Sequence, residues 1–279
     1  MAWNFHYGIG VNQDLDIAFK YYSLAAEQNH PAGLRGVGEM YERGTDQIES
    51  NLEFAIEYYF KAADLDDYVA EFNLGVFYQY GTGVEPDQEK AKDFLERASL
   101  KGHNSAMLNL GLLYQEGING EKDFAKAMQY FERAAKAGNP KANGCIGFLW
   151  TNGLGVEKDI HKGISFLEKS AMIGEVYSQY NLGLMYRAGE ELGQDFDKAL
   201  FWFKHAANRG LAAAQIDLSI MYIKGDGIEP DFSEAFKWVL LGEMNGDDRG
   251  DSMRTYCIEN FDKKYLEEGQ KRAQAFQEI

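Results

Sequence analysis

Small and aromatic positions recur along this chain at intervals of about 36 residues. In the fragment AEFNLGVFYQYGTGVEPD at 70–87, Gly75 has counterparts at Gly38, Gly111, Gly147 and Gly183, with Ser219 next in line. Tyr78 returns as Tyr41, Tyr114, Trp150, Tyr186 and Tyr222, and Gly81 returns as Gly44, Gly117, Gly153, Gly189 and Gly225. A second set follows in each period: Ala18, Ala55, Ala91, Ala127, Gly163, Ala199 and Ala235. Aromatics trail it by three residues, at Tyr21, Tyr58, Phe94, Tyr130, Phe166, Trp202 and Trp238. Self-similarity at a fixed period of this length marks stacked supersecondary units, each burying its apolar face against its neighbours.

Each period holds two helices. Leu74, Phe77 and Tyr78 stand three and four apart, so the spacing predicts an A helix over about 68–80. Ala91, Phe94, Leu95 and Ala98 keep the same rhythm and predict a B helix over about 88–100. Gly75 on the A helix permits a close helix approach, and alternating small and large positions let side chains interdigitate. Gly81 is placed to end the A helix, since glycine tolerates positive φ. Asp14, Asn51, Asp87, Asp123, Asp159, Asp195 and Asp231 recur before the B helices as expected N-caps. The chain therefore reads as an all-α solenoid. Residues 1–31 form a partial N-terminal repeat, residues 32–247 six full repeats, and residues 248–279 two capping helices through Met253, Tyr256 and Cys257, then Leu266 to Phe276.

The pattern AxxxLGxxYxxGxGVxxD is similar to that of the Sel1-like repeat family, a relative of the tetratricopeptide class. Ala70, Leu74, Gly75, Tyr78, Gly81, Gly83, Val84 and Asp87 carry the resemblance in one repeat. Ala142, Ile146, Gly147, Gly153, Gly155, Val156 and Asp159 carry it in another. The loops GTDQI at 44–48, INGEKD at 118–123 and GEELGQD at 189–195 depart from it, as do Trp150 and Ser219. The resemblance implies a right-handed superhelix with a concave face lined by A helices. It also implies adaptor or scaffold roles, with immunity to secreted toxins among the family's themes.

Apolar residues make up 45% of the chain, ample for a core, and only four prolines interrupt it. The net charge of -16 disfavours phosphate backbones and anionic bilayers as partners, so nucleic acid is not expected, and no window approaches 18 uncharged apolar residues, so membrane insertion is not expected either. Cys145 and Cys257 form neither a disulfide framework nor a thiolate zinc site. The start MAWNFHYGIGV has no basic, apolar leader, so the chain as it stands is expected to be cytoplasmic, or periplasmic or secreted where a leader has been trimmed.

No catalytic constellation, cofactor motif or metal motif is expected. The GxG loops follow helices, whereas a dinucleotide fingerprint follows a strand. The five histidines form no paired motif, and no GxSxG or SxxK nucleophile is present. The family's beta-lactam-associated members resemble a cysteine-rich subgroup, and this chain lacks that cysteine pattern.

A binding face is the better candidate. On the A helices one series reads Gly36, Asn73, Asn109, Cys145, Asn181 and Asp217, and its row of amides either holds the backbone of an extended peptide or bonds to the neighbouring helices and loops. Two turns on stand Arg43, Tyr80, Glu116, Asn152 and Lys224. Phe72, Tyr80, Phe148 and Tyr180 fall outside the main packing series and are candidate anchors. Glu39, Glu42, Glu71 and Asp217 are expected to steer a basic or amphipathic protein segment. The functional expectation is a non-catalytic protein–protein adaptor or scaffold. The alternatives are an immunity or inhibitor protein, a hydrolase using a groove carboxylate pair, and a passive spacer.

Overall fold

The structure is a computed structural model that describes residues 1–189 and 193–277. The GEELGQD reading at 189–195 thus falls partly outside the described residues, as does the end of the predicted 248–279 cap. Two compact units divide the chain, Met1–Ala142 and Asn143–Ile279. The first holds α1 (Ala2–Tyr7), α2 (Leu15–Ala26), α3 (Pro31–Arg43), α4 (Leu52–Ala63), α5 (Tyr68–Tyr80), α6 (Gln88–Leu100), α7 (Asn104–Glu116) and α8 (Phe124–Lys136). The second follows with α9 (Ala142–Asn152), α10 (Ile160–Met172), α11 (Val176–Ala188), α12 (Phe196–Asn208), α13 (Ala212–Lys224), α14 (Phe232–Met244), α15 (Gly250–Asn260) and α16 (Lys263–Gln277). Odd-numbered helices through α13 are A helices, and even-numbered ones through α14 are B helices. The only extended pairing among the described residues is the Ile118–Glu121 bridge.

The predicted turn chemistry is in place. Asp14, Asn51, Asp87, Asp123, Asp159, Asp195 and Asp231 each accept a bond from the backbone N–H three residues on, at 2.8–3.1 Å. Gly81 closes α5 at φ 72, in the left-handed region, with its N–H donating to the Phe77 carbonyl. The variant loops are tied back to the preceding repeat. The Thr45 hydroxyl donates to Asp16 at 2.8 Å, and the Asn119 backbone N–H donates to Gln88 at 2.7 Å.

Each repeat closes on a notch. A Cβ at Gly111 would lie 2.4 Å from the Phe131 ring, and both residues are fully enclosed by their neighbours. The same register pairs Gly38 with Tyr59 and Gly75 with Leu95 in the first unit, and Gly147 with Leu167 and Gly183 with Phe203 in the second. The side chain that enters the notch is therefore one residue after the periodic B-helix aromatic. That aromatic instead stacks on the A-helix tyrosine at the edge of the layer. Tyr78 lies on Phe94 at 5.9 Å between ring centroids, and Tyr114 on Tyr130 at 5.6 Å. Cations flank the stack, with Lys90 5.0 Å from the Tyr78 centroid and Arg97 5.4 Å from that of Phe94.

The second unit ends on α16, which packs against α14. Phe276 meets Trp238 at 5.4 Å, and Arg272 reaches Asp231 at 3.0 Å and Glu234 at 3.2 Å.

The caps give the fold an acid dependence. Backbone hydrogen bonds from Lys90, Lys126 and Lys198 hold the Asp87, Asp123 and Asp195 carboxyls below their ordinary value of 3.8. A depressed folded value contributes stability above the unfolded value, and that stability is lost as pH falls through the folded one. Helical circular dichroism should therefore decline below about pH 4, in addition to the loss that begins at higher pH as the buried His6 and His103, whose values burial lowers, take up protons. Replacing all three by asparagine, the residue already capping α4 at Asn51, should flatten that decline. A decline below pH 4 that the three asparagines leave unchanged would contradict this account.

Candidate protein-binding face on the A helices

Residues three and seven positions apart share one helix face. On α11, Asn181 therefore lines up with Leu184 and Ala188. On α9 the equivalents are Cys145, Phe148 and Asn152, and on α13 they are Asp217, Ile220 and Lys224. In the first unit α3 gives Gly36, Glu39 and Arg43, α5 gives Asn73, Val76 and Tyr80, and α7 gives Asn109, Leu112 and Glu116. Each helix thus brings both predicted rows onto one face. Between them runs a row that sequence reasoning missed apart from Glu39 and Phe148. Its members are Val76 and Leu112 in the first unit, and Phe148, Leu184 and Ile220 in the second. All are half-buried except Phe148, which is 38% exposed. The signal was available as an apolar residue directly after the helix glycine, but such a leucine reads as core.

The second unit has two clefts on this face. One of about 340 Å³ opens between α9 and α11 over α10, lined by Phe148, Asn152, Ile160, Leu167, Asn181, Leu184 and Met185 among others. The other, of about 620 Å³, is lined by Arg187, Asp217, Ile220, Lys224 and Arg249. Arg43 borders a third cleft, in the first unit, with Asp14, Asp16, Asp46 and Glu49.

The predicted steering carboxylates are already engaged inside the protein. Glu39 accepts from Arg35 at 2.6 Å, and the Tyr59 hydroxyl donates to Glu42. Glu71 is fully buried between Arg97 at 2.7 Å and Lys101 at 3.0 Å. Asp217, 2% exposed, accepts from Arg187 at 2.6 Å and from the Tyr180 hydroxyl at 2.7 Å, with Arg249 at 3.4 Å. Burial, with that bond to Asp217, pushes the Tyr180 hydroxyl up to about 12. A carboxylate held by two guanidinium groups projects little field outward, so Asp217 organises this region rather than greeting a ligand.

The amide row divides in the same way. Asn73 hydrogen-bonds to Tyr59, whereas the amides of Asn109 and Asn181 have no hydrogen-bond partner among the described residues. Asn152 turns its amide back to the Phe148 carbonyl at 2.8 Å. Of the aromatic candidates, Phe72 stacks on His103 at 4.3 Å and Tyr180 is held by Asp217, which leaves Tyr80, 61% exposed, and Phe148 to meet a partner. Burial raises the Tyr80 hydroxyl, and the nearby Glu116 carboxylate adds to the shift, so those two predicted residues are neighbours.

Chemistry elsewhere is structural. His103 caps α7 by accepting the Ala106 N–H at 3.1 Å, and His205 packs edge-on to Phe201 at 4.4 Å. Burial pushes the Cys257 thiol up to about 12, far from a reactive thiolate. Among the described residues no group of three or more His, Cys, Asp or Glu side chains is arranged to hold a metal ion. No helix among them is long and apolar enough to cross a membrane.

Comparison with known proteins agrees with this architecture. The Sel1 repeat family matches at residues 1–30, 31–67, 69–103, 104–139, 147–175, 176–211 and 212–247. A Sel1 repeat protein from Oxalobacter formigenes superposes with a TM-score of 0.74 at 33% identity, covering 81% of this chain and 93% of its own. A protective antigen of uropathogenic Escherichia coli shares the fold, with a TM-score of 0.59 at 23% identity over 99% of this chain and 75% of its own. A putative ERAD-associated E3 ubiquitin-protein ligase component of Schizosaccharomyces pombe is 37% identical over 91 residues. That match spans 32% of this chain and only 13% of the yeast protein.

Proposed function

This chain belongs to the Sel1 repeat family, whose solenoids generally mediate protein–protein interactions and are typically non-catalytic, and on that premise we propose that it is an adaptor holding a partner protein on its A-helix face. One observation carries the reading. The row Phe148, Leu184 and Ile220 keeps apolar surface at the solvent boundary in successive repeats, beside the Asn181 amide, which has no hydrogen-bond partner among the described residues. Apolar anchors with a polar rim are the anatomy of a protein interface. The description of the yeast relative as a ligase component agrees with a role inside an assembly.

Site-specific photocrosslinking tests the face directly. A benzophenone side chain at position 80 of the first unit, or at position 148 of the second, should capture a partner from native extract. The same group at the exposed B-helix positions Asp93 and Glu132 should not. Phe148→Asp should weaken capture at least tenfold, since it places an unpaired charge in the contact. Crosslinks arising only from the B-helix positions would overturn the proposal.

A further inference from the structure

The three A helices of the second unit are almost free of charge. Among them α9 carries no Asp, Glu, Lys or Arg, α11 carries Arg187, and α13 carries Asp217 and Lys224. Arg187 and Asp217 are paired with each other at 2.6 Å. In a protein of net charge -16, this face is therefore close to neutral, and the acidity lies elsewhere.

The cleft between α9 and α11 shows the same character at close range. Phe148, Leu184 and Met185 form apolar wall, and Leu167 at 1% exposure closes the floor. Its single ionisable lining residue among those described, Lys158, has a partner of its own within the protein. Asn181 stands at the rim, its amide without a hydrogen-bond partner among the described residues, one donor and one acceptor group able to meet a peptide C=O and N–H. The volume of about 340 Å³ lies at the small end of the range for ligand clefts, room for a side chain rather than a cofactor.

We infer that this cleft is the anchor pocket for one apolar or aromatic side chain of an uncharged, extended partner segment, whose backbone is held by Asn181. The inference rests on the adaptor reading and narrows it, because it sets the partner's chemistry. A lysine entering the cleft would shed hydration and find no anion among the described lining residues, and a glutamate would meet only Lys158, which is already engaged within the protein. An apolar side chain sheds only unfavourable hydration and gains contact with Phe148, Leu184 and Met185.

The test uses the whole chain with its methionine methyl groups labelled for NMR, and Met185→Leu to assign the Met185 signal. The probes are N-acetyl-leucinamide, N-acetyl-phenylalaninamide, N-acetyl-lysinamide and N-acetyl-glutamic acid amide. The first two should shift the Met185 methyl saturably, and the two charged probes should leave it in place. Ala188→Trp, at the exposed last residue of α11, should fill the cleft and abolish the shift while leaving the circular dichroism unchanged. Asn181→Ala should weaken the apolar probes severalfold. Absence of a saturable shift, or equal shifts from the lysine probe, overturns the pocket assignment. Crosslinking from positions 80 and 148 is independent of it, so a partner captured there alongside a negative probe result would retain the face and discard the pocket.

Discussion

Gly111→Ser should destabilise the protein by about 3 kcal/mol and Phe131→Val by a similar amount, yet the double variant should cost less than the sum by about 2 kcal/mol. Phe131 is fully buried and its ring lies where a side chain at Gly111 would begin. Serine there must push the ring out of α8, whereas valine at 131 leaves the notch unfilled. The two errors are complementary, and the chain itself contains the repaired version. At the equivalent positions of the last full repeat stand Ser219 and Val239, both fully buried, with the Ser219 hydroxyl donating to the Ile216 carbonyl at 2.6 Å. The corresponding acceptor for serine at 111 is the Leu108 carbonyl. Because a repeat array opens in pieces, amide hydrogen exchange in α7 and α8 should be read alongside urea unfolding. Additivity of the two single effects would show that the notch is not a shared volume.

Most of this architecture is written locally. Asp87 lies just before Gln88, and the A helix ends at Gly81, because caps and left-handed turns depend on residues within one turn of each other. The 36-residue period adds the pairing of neighbours. Which residue fills the notch was less visible. Phe94 and Leu95 are adjacent on one helix, about 100° apart around it, and both look apolar enough. Only the packed structure shows Leu95 against Gly75 and Phe94 at the stacked edge.

The face proposed to bind a partner was half legible for a similar reason. The rows through Asn181 and Asn152 could be read from spacing alone. The state of each side chain could not, because its partner is distant in sequence. Arg97 reaches Glu71 across 26 residues, Arg249 reaches Asp217 across 32, and Tyr59 takes up Glu42 from the next helix. A count of acids therefore missed that Arg97 and Lys101 offset Glu71, and that Arg187 and Arg249 offset Asp217. The near neutrality of the face in the second unit follows mainly from how few charged residues α9, α11 and α13 carry.

Removing both Arg97 and Lys101 as alanines should cost about 3–5 kcal/mol, whereas Glu71→Met should cost far less. The asymmetry comes from where each charge would stand alone. Glu71 is fully enclosed in the intact chain, and without its two cations the carboxylate loses the donors that offset its burial. Without Glu71, the two cations can turn outward, since their side chains are 46% and 32% exposed already. The next repeat shows that an apolar solution fits this position, with Met107 in place of Glu71 and Ala137 in place of Lys101. The combined Glu71→Met, Arg97→Ala, Lys101→Ala variant should consequently recover most of the loss, and urea unfolding of the four proteins measures it. If the double alanine variant is as stable as the parent, water reaches Glu71 and the carboxylate is not sealed. If the triple variant fails to recover, the cations contribute by packing over Phe94 and the turn at Asp66 rather than by charge.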